Sequence, residues 1–230
     1  MQLKKIIIYL GIFGAIQFLL LTSYAMWIYP GGTIHERGLE SYSFLTNYFS
    51  DLGRTRNFRG ELNSTCHNLF KATLTISGVC IILFFSILPS FFKHEVAKIL
   101  SYCALFCGMM AGACYIGIGW IAWNENYWGH IFFVTRGFIA FLMMSLFYTL
   151  AIFLEKDYPN KYGVMMIVFM IILFLQILVM MTGPRSWSSP DALWLQAVSQ
   201  KVVVYSEILV LLYQSFGLLK MLNHQEELEV

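Results

Sequence analysis

Six long apolar runs constrain this chain more than any other feature. They lie at about Ile6–Tyr29, Leu69–Phe92, Ile99–Trp123, Ile131–Leu154, Val164–Met181 and Leu193–Leu222. Each is near the ~20 residues that an α-helix needs to cross the hydrocarbon of a bilayer at ~1.5 Å per residue. Lipid cannot satisfy free backbone N–H and C=O groups, so all six must be helices. The expected architecture is all-α: a six-helix transmembrane bundle forming a single integral membrane domain over residues 1–230. Charged residues make up 12% of the chain, against about 25% in a soluble domain, as lipid solvation requires. A net charge of +2 is too small to point to nucleic acid.

The first run follows Lys4 and Lys5 and could pass for a signal peptide. It is too long for an h-region and lacks a small-x-small cleavage site, so it reads as the first span. Lys4, Lys5, Lys93, Lys98, Lys156, Lys161 and Lys220 fall at one end of the spans, and Arg37, Arg54, Arg56, Arg59 and Arg185 at the other. The lysines flanking the first span place both termini in the cytoplasm, with the plasma (bacterial inner) membrane as the expected location. All six tryptophans, Trp27, Trp120, Trp123, Trp128, Trp187 and Trp194, fall at the arginine end. An interfacial belt explains most of them. Belts form at both faces, however, so this one-sided set marks the Trp/Arg end as a recognition face.

The only long loop, about Pro30 to Asn68, lies at that end, and the polar stretch Tyr42–Lys71 begins within it. Pro30-Gly31-Gly32 breaks the first helix. Leu45, Tyr48, Phe49 and Leu52 recur at i, i+3, i+4, i+7, and Gly53 is a natural stop. This spacing predicts a short amphipathic helix over Ser43–Leu52, lying at the interface. In the third span Gly108 and Gly112 form a GxxxG, which predicts close helix packing, with a backbone-lined cavity as the alternative. Ser189-Pro190-Asp191 reads as a helix start. Of the five cysteines, Cys80, Cys103, Cys107 and Cys114 lie in apolar runs. With no CxxC and Cys66 alone outside the runs, they read as packing residues.

Ionisable groups inside spans are costly and therefore functional suspects. Asn63, His67 and Lys71 share a face of the second helix. His130 opens the fourth, and Arg136 lies about two turns into it. Gln196, Gln200, Glu207 and Gln214 form a stripe on the sixth, beside Lys201. Glu207 must face the interior, protonated or paired with Arg136, Lys71 or Lys201; a register-fixing salt bridge is the structural alternative. The set predicts a pocket roofed by the first loop and lined by Asp51, Arg54, Arg56, Arg59, His67, Lys71, His130, Arg136, Arg185, Gln200, Lys201 and Glu207. Cations outnumber carboxylates in it, which suits the anionic group of a lipid or lipid-linked partner.

The run Tyr42–Gly53, with Asn47 and Ser50-Asp51-Leu52-Gly53, together with Gln200-Lys201, resembles the multi-pass family known as domain of unknown function 998. More distantly it resembles the Frag1/DRAM/Sfk1 group. In the former, a pattern ending in Ser-Asp-Leu-Gly follows the first span, and a late helix carries Gln beside Arg or Lys. The resemblance implies an integral membrane protein of five or six helices and no established reaction. The wider group implies lipid handling, by analogy.

Two other classes compete. A membrane-embedded hydrolase or transferase would use Asp51 and His67 as an acid/base pair. Intramembrane zinc hydrolases of the alkaline ceramidase type carry an HxxxH that this chain lacks, so no metal site or cofactor is expected. An accessory protein would dock a partner through the loop charges Glu36, Arg37 and Glu40. Asn63-Ser64-Thr65 matches a glycosylation sequon and abuts a span.

Overall fold

A computed structural model describes residues 1–229, with side chains through Glu227. Its six long helices are α1 (Gln2–Ile28), α2 (Ser64–Ile87), α3 (Glu95–Trp120), α4 (Tyr127–Leu154), α5 (Asn160–Thr182) and α6 (Pro190–Glu229). All six are long and apolar enough to cross a membrane, with mean hydropathy between 1.8 and 3.0 in their best windows. No strand forms among the described residues; Arg56 and Leu62 share an isolated antiparallel bridge.

All six helices begin before the apolar run that announces them, and polar side chains cap three of them, α3, α4 and α6. His94 Nδ1 accepts from the Ala97 amide at 3.4 Å, and Asn126 Oδ1 from the Gly129 amide at 2.9 Å. Ser189 Oγ accepts from the Ala192 amide at 3.1 Å, with Pro190 in the first turn, as the sequence predicted. α3 ends at Trp120 rather than Trp123. Trp123 therefore lies in the turn between α3 and α4.

Each helix packs on its neighbours in sequence, and α6 returns to pack on α1. Small residues set the closest approach. A Cβ on Gly78 would lie 2.5 Å from the Gly112 carbonyl oxygen, and one on Gly112 2.6 Å from that of Gly78. The backbones of α2 and α3 touch there, which no larger residue permits. Gly108, the other half of the GxxxG, lies under the Phe85 ring. The motif serves close packing. The cysteines also pack: Cys80 abuts Gly14, and the Cys66 thiol donates to the Ala25 carbonyl at 3.4 Å.

The amphipathic helix expected over Ser43–Leu52 is absent. Two turns stand in its place, one over Ser43–Asn47 and one 3-10 turn at Phe49–Asp51. Asn47 Oδ1 accepts from the Ser43 amide and Asp51 Oδ2 from the Tyr48 amide, both at 2.9 Å. These side-chain acceptors offer the backbone an alternative to the helical ladder, and they win.

Candidate functional site

The loop between α1 and α2 turns back over the helix ends at Gly31 and Gly32. Both have positive φ, 91° and 87°, and a Cβ on Gly31 would strike the Leu39 carbonyl. Asn47 and Asp51 are the hub of the folded loop, at 0% and 1% exposure. Asn47 Nδ2 donates to the Gly32 carbonyl and to Asp51 Oδ2, each at 2.9 Å. The Trp123 indole donates to Asp51 Oδ1 at 3.2 Å. Burial pushes the Asp51 carboxyl above the ordinary 3.8; the Asn47 amide, the Tyr48 backbone N–H, the Arg54 charge and the Trp123 indole oppose that shift.

Helix α6 holds this hub from below. Gln200 Oε1 accepts from the Phe49 amide at 2.9 Å. Lys201, 2% exposed, donates through Nζ to the Asn47 carbonyl and, at 3.4 Å, to that of Ala197. The rings of Tyr42, Phe44 and Phe49 surround the ammonium at 5.7, 5.3 and 5.7 Å. The two sequence blocks singled out above, Tyr42–Gly53 and Gln200-Lys201, thus touch one another across the fold.

The loop is pinned on its other sides too. The Arg54 guanidinium stacks on Phe58 at 4.0 Å and Trp123 at 4.3 Å. Asn124 Oδ1 accepts from the Thr55 amide at 3.1 Å. A His35 ring nitrogen donates to the Ser186 carbonyl at 2.7 Å, which ties the loop to the α5–α6 turn.

Beneath this lid lies a cavity of about 370 Å³, within the range of ligand pockets. Thr46, Tyr48, Ser50, Asp51 and Phe58 roof it, with Trp123 and Tyr127 beside them. His130, Val134, Thr135 and Phe138 of α4, Gln176 and Met180 of α5, and Leu193, Gln196 and Gln200 of α6 form its walls. Tyr127, Met181, Arg185 and Trp187 also line it and are exposed, so they mark its mouth. Two buried polar atoms among the lining residues have no hydrogen-bond partner: His130 Nε2 and Gln176 Oε1. Such atoms are rare in folded proteins.

Of the residues predicted to meet here, Asp51, His130, Arg185 and Gln200 do line the cavity. Lys201 touches the underside of the lid. The others lie elsewhere. His67 Nδ1 donates to the Gly53 carbonyl at 2.8 Å and clasps the end of the loop. Arg56 and Arg59 are exposed staples, bonded to the Gly60 carbonyl at 2.8 Å and to Glu61 at 2.9 Å. The Lys71 ammonium sits 3.4 Å over the exposed Trp120 ring, and exposed Arg136 lies over Phe132 at 5.1 Å. Both are long side chains whose stems run along apolar surface while the charge stays outside the helix core. Glu207 pairs with none of the three cations considered for it. The Tyr115 hydroxyl donates to Glu207 Oε2 at 2.6 Å. Glu207 and Gln214 line a separate void of about 30 Å³ deeper in the fold.

The cavity is therefore not the cation-rich pocket the sequence suggested. One guanidinium, that of Arg185, stands at its mouth, and one buried carboxyl, that of Asp51, in its roof. Trp123 and Gln176 are the functional candidates that sequence reasoning missed. Gln176 had a signal: it is the single amide in the otherwise apolar run Val164–Met181. Trp123 had none, since it was one tryptophan of a belt. The sequon residue Asn63 is 3% exposed, and its amide donates to the Leu52 and Arg54 carbonyls at 3.1 and 2.9 Å. It serves the loop and offers no glycan a foothold. Comparison with known proteins found no matching family model, curated relative or solved structure.

Proposed function

We propose that this protein binds or moves a lipid or lipid-linked molecule, taking its polar head into the cavity under the α1–α2 loop. The observation that carries the reading is that cavity itself: about 370 Å³, with polar side chains among its walls and an exposed aromatic mouth. In this reading both termini face the cytoplasm and the Trp/Arg end faces the opposite side. Arg185 at the mouth supplies a positive charge for an anionic group. Met181 and Trp187 flank the entering chain. In this reading the Tyr42–Gly53 block and Gln200-Lys201, which touch one another, act together as the lid.

Lipid co-purification by mass spectrometry tests the proposal. Val134→Trp fills the cavity from its α4 wall and is expected to strip the retained lipid. Arg136→Ala, whose side chain lies outside the cavity, is expected to leave it in place. Retention of the same lipids by Val134→Trp would refute the proposal.

A second reading has its own observation. Asp51 and His130 line the same cavity, and His130 Nε2 has no partner. The enzyme alternative therefore passes from Asp51 with His67 to Asp51 with His130. It predicts turnover of the bound lipid by the wild type that His130→Ala abolishes and His67→Ala spares.

A further inference from the structure

The polar stripe of α6 does not end at the lid cavity. Gln196 and Gln200 line that cavity. Glu207 follows two turns further along the helix, ~10 Å deeper at ~1.5 Å per residue. There it lines two small voids at once. One, of about 20 Å³, is shared with Gly14 of α1, Ser77 of α2 and Tyr115 of α3. The other, of about 30 Å³, is shared with Phe85 of α2, Met144 of α4 and Met166 of α5. All six helices therefore meet around this carboxyl, inside the ring in which each helix packs on its neighbour and α6 closes on α1.

Its surroundings decide what it can hold. The Tyr115 hydroxyl donates to Glu207 Oε2 at 2.6 Å. No Lys, Arg or His lies among the residues lining either void. The other titratable groups there are Cys80 of α2, Tyr115 of α3 and Tyr148 of α4, while α1 and α5 contribute apolar residues only. A carboxylate without a cation among such walls bears its desolvation cost uncompensated. A hard cation such as Ca²⁺ or Mg²⁺ would neutralise it but takes about six oxygen ligands or more. Three oxygen-bearing side chains line each void: Ser77, Tyr115 and Glu207 at one, Tyr148, Glu207 and Gln214 at the other. A proton needs a single lone pair. We infer that Glu207, held by Tyr115, is an exchangeable proton-binding site at the axis of the bundle. The proton sits on the carboxyl oxygen that Tyr115 leaves free. It comes from and returns to water entering by the voids, each of which exceeds the ~10–15 Å³ that one water molecule occupies.

Infrared spectroscopy of the purified full chain in bilayers, in H₂O and in D₂O, tests this. A protonated carboxyl absorbs above the amide band, where a carboxylate does not. At neutral pH the wild type should show that absorbance, and Glu207→Gln, which keeps the shape and the acceptor for Tyr115, should lose it. Asp51→Asn, which removes the carboxyl of the lid, should keep it. The band should shift to lower wavenumber in D₂O and fall reversibly as the pH is raised. Tyr115→Phe should move it to higher wavenumber, because the carbonyl loses its donor; an unmoved band would take Tyr115 out of the site. The same spectrum in wild type and Glu207→Gln would mean that Glu207 is ionised and would overturn the assignment. A band that Glu207→Gln removes, but that neither D₂O nor raised pH alters, would overturn it too, since it would mark a sealed carboxyl that serves packing alone.

Discussion

Lys201→Met isolates what holds the lid. The methionine keeps most of the stem's volume and removes the ammonium from the Asn47 and Ala197 carbonyls and from three aromatic rings. A hydrogen bond from a charged group is worth about 1.5–3 kcal/mol, and desolvated cation–π contact adds up to about 2 kcal/mol. Against this, Met no longer has to bury a charge that is 2% exposed, and that relief offsets part of the loss. The net expectation is about 2 kcal/mol, roughly thirtyfold in the lid-opening equilibrium. That cost falls on the loop, because the ammonium reaches the Asn47 carbonyl and the rings of Tyr42, Phe44 and Phe49, all of them loop residues. Hydrogen exchange read by mass spectrometry on peptides covering residues 42–53 measures it. Exchange there should accelerate roughly thirtyfold, in keeping with local opening, while peptides of α3 stay as protected as in the wild type. Unchanged protection over 42–53 would mean that Lys201 does not hold the lid. Equal loss over α3 would mean that it supports the whole fold instead.

Gly112→Ala drives a Cβ to 2.6 Å from the Gly78 carbonyl. Thermal unfolding in detergent should show a loss of about 1–3 kcal/mol, with Gly38→Ala, where a Cβ meets nothing within 4 Å, as the silent control. His67→Ala loses its bond to the Gly53 carbonyl. It should loosen the loop by about 1 kcal/mol in hydrogen exchange yet leave lipid retention untouched. The Asp51 carboxyl is raised by burial, so its neutral form favours the folded lid. That contribution is full below its ordinary 3.8 and fades as pH rises through the elevated folded value. Lid protection should therefore grow as pH falls through that window, and Asp51→Asn should flatten the dependence. A wild type and variant with the same pH profile would assign the effect to another group.

Six helices long and apolar enough to cross a membrane were legible, because length and apolarity are properties of consecutive residues. So were the Ser189 cap and the close approach at Gly112, where local chemistry decides. Asp51, His130, Arg185, Gln200 and Lys201 were rightly placed at one end of the spans, because helix alternation fixes depth. The amphipathic helix over Ser43–Leu52 failed at Asn47 and Asp51. Periodicity counts apolar positions and is blind to side chains that capture the backbone. Lys71 and Arg136 failed for another reason. Spacing tells which residues share a face of one helix, but not which neighbour that face meets.

The sequence by itself therefore determined six apolar helices and the end at which their polar residues gather. The tertiary structure alone decided which of those residues share a cavity. Helix azimuth follows from contacts such as Gly78 on Gly112, and the partners of His67, Lys201 and Asn63 are backbone carbonyls. Every residue type carries the same carbonyl, so no pattern of side chains announces where one will be needed.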